Sequence, residues 1–293
     1  MPQWQGKSRG TPLGYRIFVF VCRTFGVRPA YLLLRFVAFY FFLFSWKSSR
    51  EIYKYFTERI GYSRLKSRLK IYSNYFLLGQ TIIDKMVVIS GIRNTYTYNF
   101  DGVENLHKIV ERGTGGILLS AHVGNWEMAS HQLEHLKTTV NVVVFDGEDQ
   151  RIKQYLDKVE GGKTFKIIVI KDDMSHVYAI GAALANNELV CMHADRFVEG
   201  NKTIRIPLLG KDASFPLGPF SMAAGFNVPV SFVFAFKESA LHYHFFGSQL
   251  YQKNESESKS EFANRLANLY VNEVERRLRQ YPLQWFNYYD FWN

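Results

Sequence analysis

The run Ile117-Leu-Leu119 is the feature that most constrains the fold, because it is opened by Gly115-Gly116 and closed by Ser120-Ala-His-Val-Gly124. A short apolar run so sharply bounded predicts a buried strand rather than a helix. A helical pattern then begins near Asn125, with Trp126, Ala129, Leu133 and Leu136 at helical spacing. The expected local structure is strand, turn, helix.

The same alternation extends over the rest of the chain. Strands are expected at Tyr96 to Phe100, Val140 to Phe145, Lys166 to Ile170, Leu189 to Ala194 and Val228 to Phe236, with helices around Glu104 to Arg112 and His176 to Ala185. The polar stretch Tyr251 to Ser260 reads as an exposed connection. An amphipathic helix follows, with Phe262, Leu266, Leu269 and Leu278 on one side, and Pro282 ends it. The closing Trp285-Phe-Asn-Tyr-Tyr-Asp-Phe-Trp292 is too aromatic to be left in water, so it is expected to pack on the domain or touch lipid.

The turn after the first strand carries the clearest chemistry. His122 and Glu127 are five residues apart. In one continuous helix they would point about 140° away from each other. With His122 in the loop and Glu127 in the first helical turn, the two side chains can converge, and the carboxylate sits near the positive helix end. An imidazole so held can take a proton from a hydroxyl at neutral pH, with the carboxylate on its other nitrogen. The main-chain N–H groups of Val123 to Asn125 stand where an oxyanion could be held. A second pattern overlaps the helix, since His131-Gln-Leu-Glu-His135 fits the H-x-x-E-H arrangement of zinc hydrolases, with Glu188 or Glu199 as a third ligand. By helical spacing both histidines fall on the polar face, which is the reading of a solvated surface. No G-x-S-x-G elbow, Walker loop or dinucleotide fingerprint is present, which weakens the corresponding hydrolase and nucleotide readings.

The N-terminal part reads differently. Residues 1–14 are polar and rich in Gly and Pro, and two apolar blocks follow, Ile17 to Cys22 and Ala30 to Trp46, separated by Gly26, Arg28 and Pro29. The second block has 17 residues, the lower limit for a span, and carries Arg35. Basic residues surround both blocks, among them Arg16, Arg23, Lys47, Arg50 and Lys54, which favours an anionic leaflet. A short embedded helix, a hairpin lying in the interface and an ordinary buried core helix all fit this pattern. Residues 51–92 read as two more helices, with Leu65, Leu69, Tyr72, Phe76 and Ile83 recurring and Arg64, Lys66, Arg68 and Lys70 crowded together. The formal net charge of +10 calls for an acidic partner without choosing one. Two cysteines, Cys22 and Cys191, form no framework, so a reducing compartment is the simpler setting.

A third informative stretch runs from Cys191 to Gly210. A strand ends at Asp195-Arg196, a basic loop with Gly200 and Lys202 follows, and an apolar strand leads to Gly210. Such a loop can bind an anionic headgroup or a phosphopantetheine-type donor, or be a solvent loop with an Arg–Asp pair.

Taken together, these blocks resemble the lysophospholipid acyltransferase superfamily, and within it the bacterial lipid A late acyltransferases. The resemblance rests on His122-Val-Gly-Asn-Trp-Glu127, on Asp195 with Ile206-Pro-Leu-Leu-Gly210, on Gly218 with the small-residue helix into Val228-Pro-Val230, on the apolar N-terminal segment and on Tyr281-Pro-Leu-Gln-Trp285. It covers nearly the whole chain. It implies an α/β fold: one acyltransferase domain with a mixed central sheet flanked by helices, over residues 51–293, preceded by a tail and an apolar membrane-anchoring helical segment in residues 1–50. The implied reaction moves a fatty acyl chain from an acyl thioester, acyl-ACP or acyl-CoA, to a hydroxyl of a lipid or glycolipid. His122 is the expected base and Glu127 its partner, with no metal and no cofactor. Substrate binding is expected at Asn125, Arg151, Asp195, Arg196, Lys202, Gly210 and Gly218. Expected partners are the acyl donor, the lipid acceptor and membrane phospholipids, not nucleic acid, at the cytoplasmic face of a bacterial inner membrane. Relatives that complete lipid A commonly carry a Tyr-Arg-Pro-like segment where this chain has Val144-Phe-Asp-Gly147, with Arg151 the nearest arginine. The acceptor therefore stays open between lipid A-like and other membrane lipids. Two other classes stay beside this one: a zinc-dependent hydrolase using His131 and His135, and a non-catalytic membrane-surface scaffold.

Overall fold

Short apolar runs separated by amphipathic helices build a largely parallel sheet flanked by helices, and the computed structural model of the protein has that architecture. It describes residues 12–125, 128, 136–145, 165–171, 173–197 and 200–292. Glu127, His131, His135, Arg151 and Glu199 lie outside the described residues.

Seven strands form the central sheet: β1 (Thr97–Asp101), β2 (Gly116–Ser120), β3 (Val140–Phe145), β4 (Phe165–Ile170), β5 (Leu189–His193), β8 (Val230–Ser239) and β9 (His242–Gly247). Their order across the sheet is β1-β9-β8-β2-β5-β3-β4. All neighbours are parallel except the β8/β9 pair, so the sheet is mixed. A separate antiparallel hairpin joins β6 (Thr203–Leu208) to β7 (Lys211–Pro216). Strand β2 is buried at every position, as an interior parallel strand must be. Strand β8 contributes Phe232, Phe234 and Phe236, each essentially inaccessible to water. Burial of each such ring contributes about 1.5–3 kcal/mol.

Helices cover the sheet. The relevant ones are α5 (Val103–Glu111), α6 (Ser175–Ala185), α7 (Gly218–Phe226) and α8 (Lys259–Gln280). Helix α8 starts on a capping box between Ser258 and Glu261 and buries Phe262, Leu266, Tyr270, Val274 and Leu278. The aromatic C-terminal segment packs on the domain: Trp285 and Phe291 are buried, and the Trp292 indole N–H donates to the Leu208 carbonyl at 3.0 Å.

Upstream, α1 (Pro12–Phe25) and α2 (Val27–Phe44) are divided at Gly26, whose φ of 87° only glycine adopts without strain. Helix α3 (Trp46–Lys54) and a π-helical turn lead into α4 (Arg64–Ile89), one helix of 26 residues capped by Ser63. Helix α2 is the one described helix long and apolar enough to cross a membrane, with a mean hydropathy of 1.6. It is two-faced. Ala30, Tyr31, Leu34 and Ala38 are buried, and it packs against α4, where a side chain on Gly79 would meet Leu34 Cδ1 at 2.3 Å. Its opposite face leaves Leu32, Phe36, Phe39, Tyr40, Leu43 and Phe44 exposed.

Candidate active site

Register brings two distant residues together. Strands β2 and β5 are parallel neighbours in which Ser120 faces His193, and each strand ends there. His122 and Asp195 each stand two residues further on, so the ladder sets them side by side at the carboxyl edge of the sheet. In open α/β sheets that edge is where ligands bind.

The contact is close and doubled. Asp195 Oδ1 lies 2.8 Å from His122 Nδ1, and Asp195 Oδ2 accepts the His122 main-chain N–H at 2.9 Å. Asp195 is buried, with 3 % exposure, while the His122 side chain keeps 28 %. A carboxylate shut away beneath an imidazole that still reaches solvent is the geometry of an oriented base. Burial alone would raise the Asp195 carboxyl, but the charge and hydrogen bond of His122, with Arg196, outweigh it and hold the group well below the usual carboxylate range. An ionised Asp195 makes Nδ1 the protonated nitrogen of His122, leaving Nε2 as the basic one.

His193 completes the cluster. Its ring lies 4.2 Å from that of His122, centroid to centroid. Burial, and next the charge of His122, hold His193 well below the ordinary imidazole value, so it stays neutral beside His122. Ligand atoms of His122, His193 and Asp195, one from each, lie within 4.8 Å of one another, close enough to hold a divalent cation.

The loop that carries His122 is fixed by its main chain. Gly124 has φ 68°, and a Cβ there would meet the Ala235 carbonyl at 1.9 Å. Its N–H donates to Gln284 O at 2.8 Å, the Asn125 N–H to Ala235 O at 2.7 Å, and the Phe286 N–H to His122 O at 3.4 Å. Two of the three N–H groups expected to hold an oxyanion are therefore spent on the scaffold.

The other expected site residues fall in several places. The Asn125 side chain is buried, and its Nδ2 donates to Thr81 O and to the Tyr243 hydroxyl, each at 3.1 Å. Arg196 borders Asp195, donates from Nη2 to Phe286 O at 3.0 Å, and lies 5.9 Å from the Tyr289 ring. The Lys202 carbonyl accepts the Leu217 N–H at 2.9 Å, beside Gly218, which opens α7. Gly210 and Leu209 both have positive φ and form the two-residue turn between β6 and β7. His193 was not expected, although it shares the Cys191-Met-His-Ala-Asp195 block and, at strand spacing, points to the same side as Asp195. Neither was Tyr270, whose hydroxyl donates to Ser120 O at 2.7 Å beneath the site.

A family model of the bacterial lipid A biosynthesis acyltransferases matches residues 15–289. The chain belongs to that family. Its members are acyltransferases, and the chain is one by that membership. No curated protein matches it. Among solved structures, it is similar to the 1-acyl-sn-glycerophosphate (LPA) acyltransferase PlsC from Thermotoga maritima, at 14% identity and a TM-score of 0.38, over 85% of this chain and 96% of that one. An overlap that loose transfers no residue role.

Proposed function

We propose that this acyltransferase moves a fatty acyl chain from an acyl thioester to a hydroxyl group of an amphipathic membrane lipid, with His122 as general base. The observation that carries the reading is the His122–Asp195 contact at the carboxyl ends of adjacent parallel strands. The acceptor O–H gives its proton to His122 Nε2 as its oxygen attacks the thioester carbon. The tetrahedral intermediate collapses by breaking the C–S bond, and the imidazolium returns the proton to the departing thiolate. Asp195 stabilises the imidazolium between the two steps. Glu127, the partner expected from the His-x4-Glu spacing, is kept as a second carboxylate of the site.

Charge and surface suit the substrates. A net charge of +10 favours an acidic acyl carrier as donor, and the exposed aromatic face of α2, with basic residues on both sides, favours an anionic leaflet. The cytoplasmic face of a bacterial inner membrane satisfies both. The acceptor is a lipid A precursor or another hydroxylated membrane lipid.

Lipid mass spectrometry of cells with and without the protein tests the reading. One lipid species heavier by an acyl mass, present only with the protein, is the expected result. Identical lipid profiles, together with no thioester consumption by the purified protein, would overturn it.

A further inference from the structure

A buried ion pair lies behind the active-site loop. Asp84 of α4 is fully buried and Lys237 of β8 nearly so, with Nζ and Oδ2 2.5 Å apart. Three hydroxyls surround the same carboxylate: Tyr31 of α2, Tyr96 just before β1, and Tyr243 of β9. Desolvating two charges costs more than their attraction returns unless the geometry is well satisfied, so such a pair is weak evidence of a stabilising role. What it does fix is direction. An ionised Asp84 accepts the Tyr243 proton, and the Tyr243 oxygen can then only accept toward Asn125, which presents Nδ2 at 3.1 Å. The same Nδ2 donates to Thr81 O, so the carboxamide is pinned in one orientation three residues after His122.

Lys237 reaches the loop by a second route. Its main-chain N–H donates to Gln284 Oε1 and its carbonyl accepts from Gln284 Nε2, both at 2.9 Å. The Gln284 carbonyl in turn accepts the Gly124 N–H at 2.8 Å. Residues 124 and 125 are thus both tied to Lys237, one through its main chain and one through its ammonium group.

We propose that the Asp84–Lys237 pair, acting through Tyr243 and Asn125, is the positioning element for His122 and sets where the imidazole stands when it takes the acceptor proton. The proposal rests on the reading of His122 as the base. None of these residues touches the reacting atoms; they act through the loop. A relaxed loop would let His122 drift from Asp195 while leaving the β2–β5 ladder intact.

Two substitutions separate positioning from general stability. Tyr243→Phe and Tyr96→Phe each remove one hydroxyl from Asp84, but only Tyr243 also meets Asn125. Melting temperature, kcat and KM for an acyl thioester would be measured, along with diethyl pyrocarbonate labelling of His122 read by peptide mass. Similar melting temperatures are expected for both. Tyr243→Phe should lower kcat about tenfold or more with KM within about twofold, and speed His122 labelling about threefold or more. Tyr96→Phe should leave kcat and labelling within about twofold of the parent. Equal effects of the two on kcat and labelling would overturn the proposal. Should Tyr243→Phe fail to fold, Asn125→Ala removes the same link with the ion pair intact, and unchanged His122 labelling there would equally overturn it. An inactive parent protein would instead count against the acyl-transfer reading, while the labelling still decides the positioning.

Discussion

Asp195 grips His122 by two atoms at once, its Oδ2 taking the main-chain N–H at 2.9 Å and its Oδ1 meeting ring Nδ1 at 2.8 Å. The main-chain bond fixes the residue and the ring bond fixes its tautomer. His122→Ala should abolish thioester turnover in a protein that still melts cooperatively. Asp195→Asn should lower kcat by roughly 10²–10⁴-fold with a smaller change in KM, because the Asn amide no longer enforces the tautomer or stabilises the imidazolium. Glu127→Gln, assayed beside it, shows which carboxylate carries the larger share.

The His193 imidazole predicts acid sensitivity. A histidine held below its unfolded value binds fewer protons when folded than when unfolded. Stability then rises with pH up to the unfolded value of about 6.5 and is lost beneath it. Asp195, held low, adds no slope there, since its stabilising share fades only as pH falls below an unfolded value of about 3.9. Melting temperature should therefore drop between about pH 7.5 and 5.5, and His193→Asn should flatten that drop. An unchanged slope would mean that His193 is not neutral when folded.

Gly124 and Gly210 both have positive φ, but only Gly124 faces a wall. Gly210→Ala meets nothing within 4 Å and should cost about 1 kcal/mol for its left-handed backbone alone. Gly124→Ala must also displace the Ala235 carbonyl, so it should cost about 1–3 kcal/mol more and remove most activity. Chemical denaturation with activity assays on both variants checks the contrast.

Metal and general base are competing uses of one cluster, because a cation there would take either the basic Nε2 of His122 or the Nδ1 that bonds Asp195. Turnover should survive chelation and desalting. A loss reversed by stoichiometric zinc would make His122, His193 and Asp195 a metal centre.

On α2, replacing Phe36, Phe39 and Leu43 by Ser together removes exposed apolar surface without touching the buried stripe. Vesicle flotation with anionic lipid should fall by about tenfold or more, given about 0.8 kcal/mol for each buried CH₂. The melting temperature in detergent should hold. Undiminished flotation would place the membrane contact elsewhere.

Much of this fold is legible from local pattern. β3 occupies Val140–Phe145, as its apolar run predicts, and the amphipathic stripe of α8 needs only its own period. β7 and β9 escape that reading. Lys211-Asp-Ala-Ser-Phe-Pro216 and His242-Tyr-His-Phe-Phe-Gly247 lack a clean apolar run, and their strand state comes from the partners they pair with. Residues 51–92 hold the end of α3, a π-helical turn and the single long helix α4 in place of the two helices expected, and Leu65 and Leu69 face outward, since the start of α4 turns that side away from the core. His122 is visible from its turn. Its grip by Asp195, 73 residues away, is not, because it depends on β5 having been laid beside β2. The commitment of the Gly124 and Asn125 amides is equally non-local, arising from β8 and the 284–286 segment.

Tyr31 joins the buried stripe of α2 to Asp84 and, at 3.0 Å, to Lys237, in the middle of the sheet. The greasy outer face of that helix therefore cannot swivel independently of the sheet edge that carries His122. Whatever surface α2 rests on, the imidazole meets it at one height and one tilt, fixed by folding rather than by the length of a tether. On the proposed chemistry, acceptors differing only in how far the reacting hydroxyl stands from that surface should be sorted by geometry before any contact with the headgroup itself.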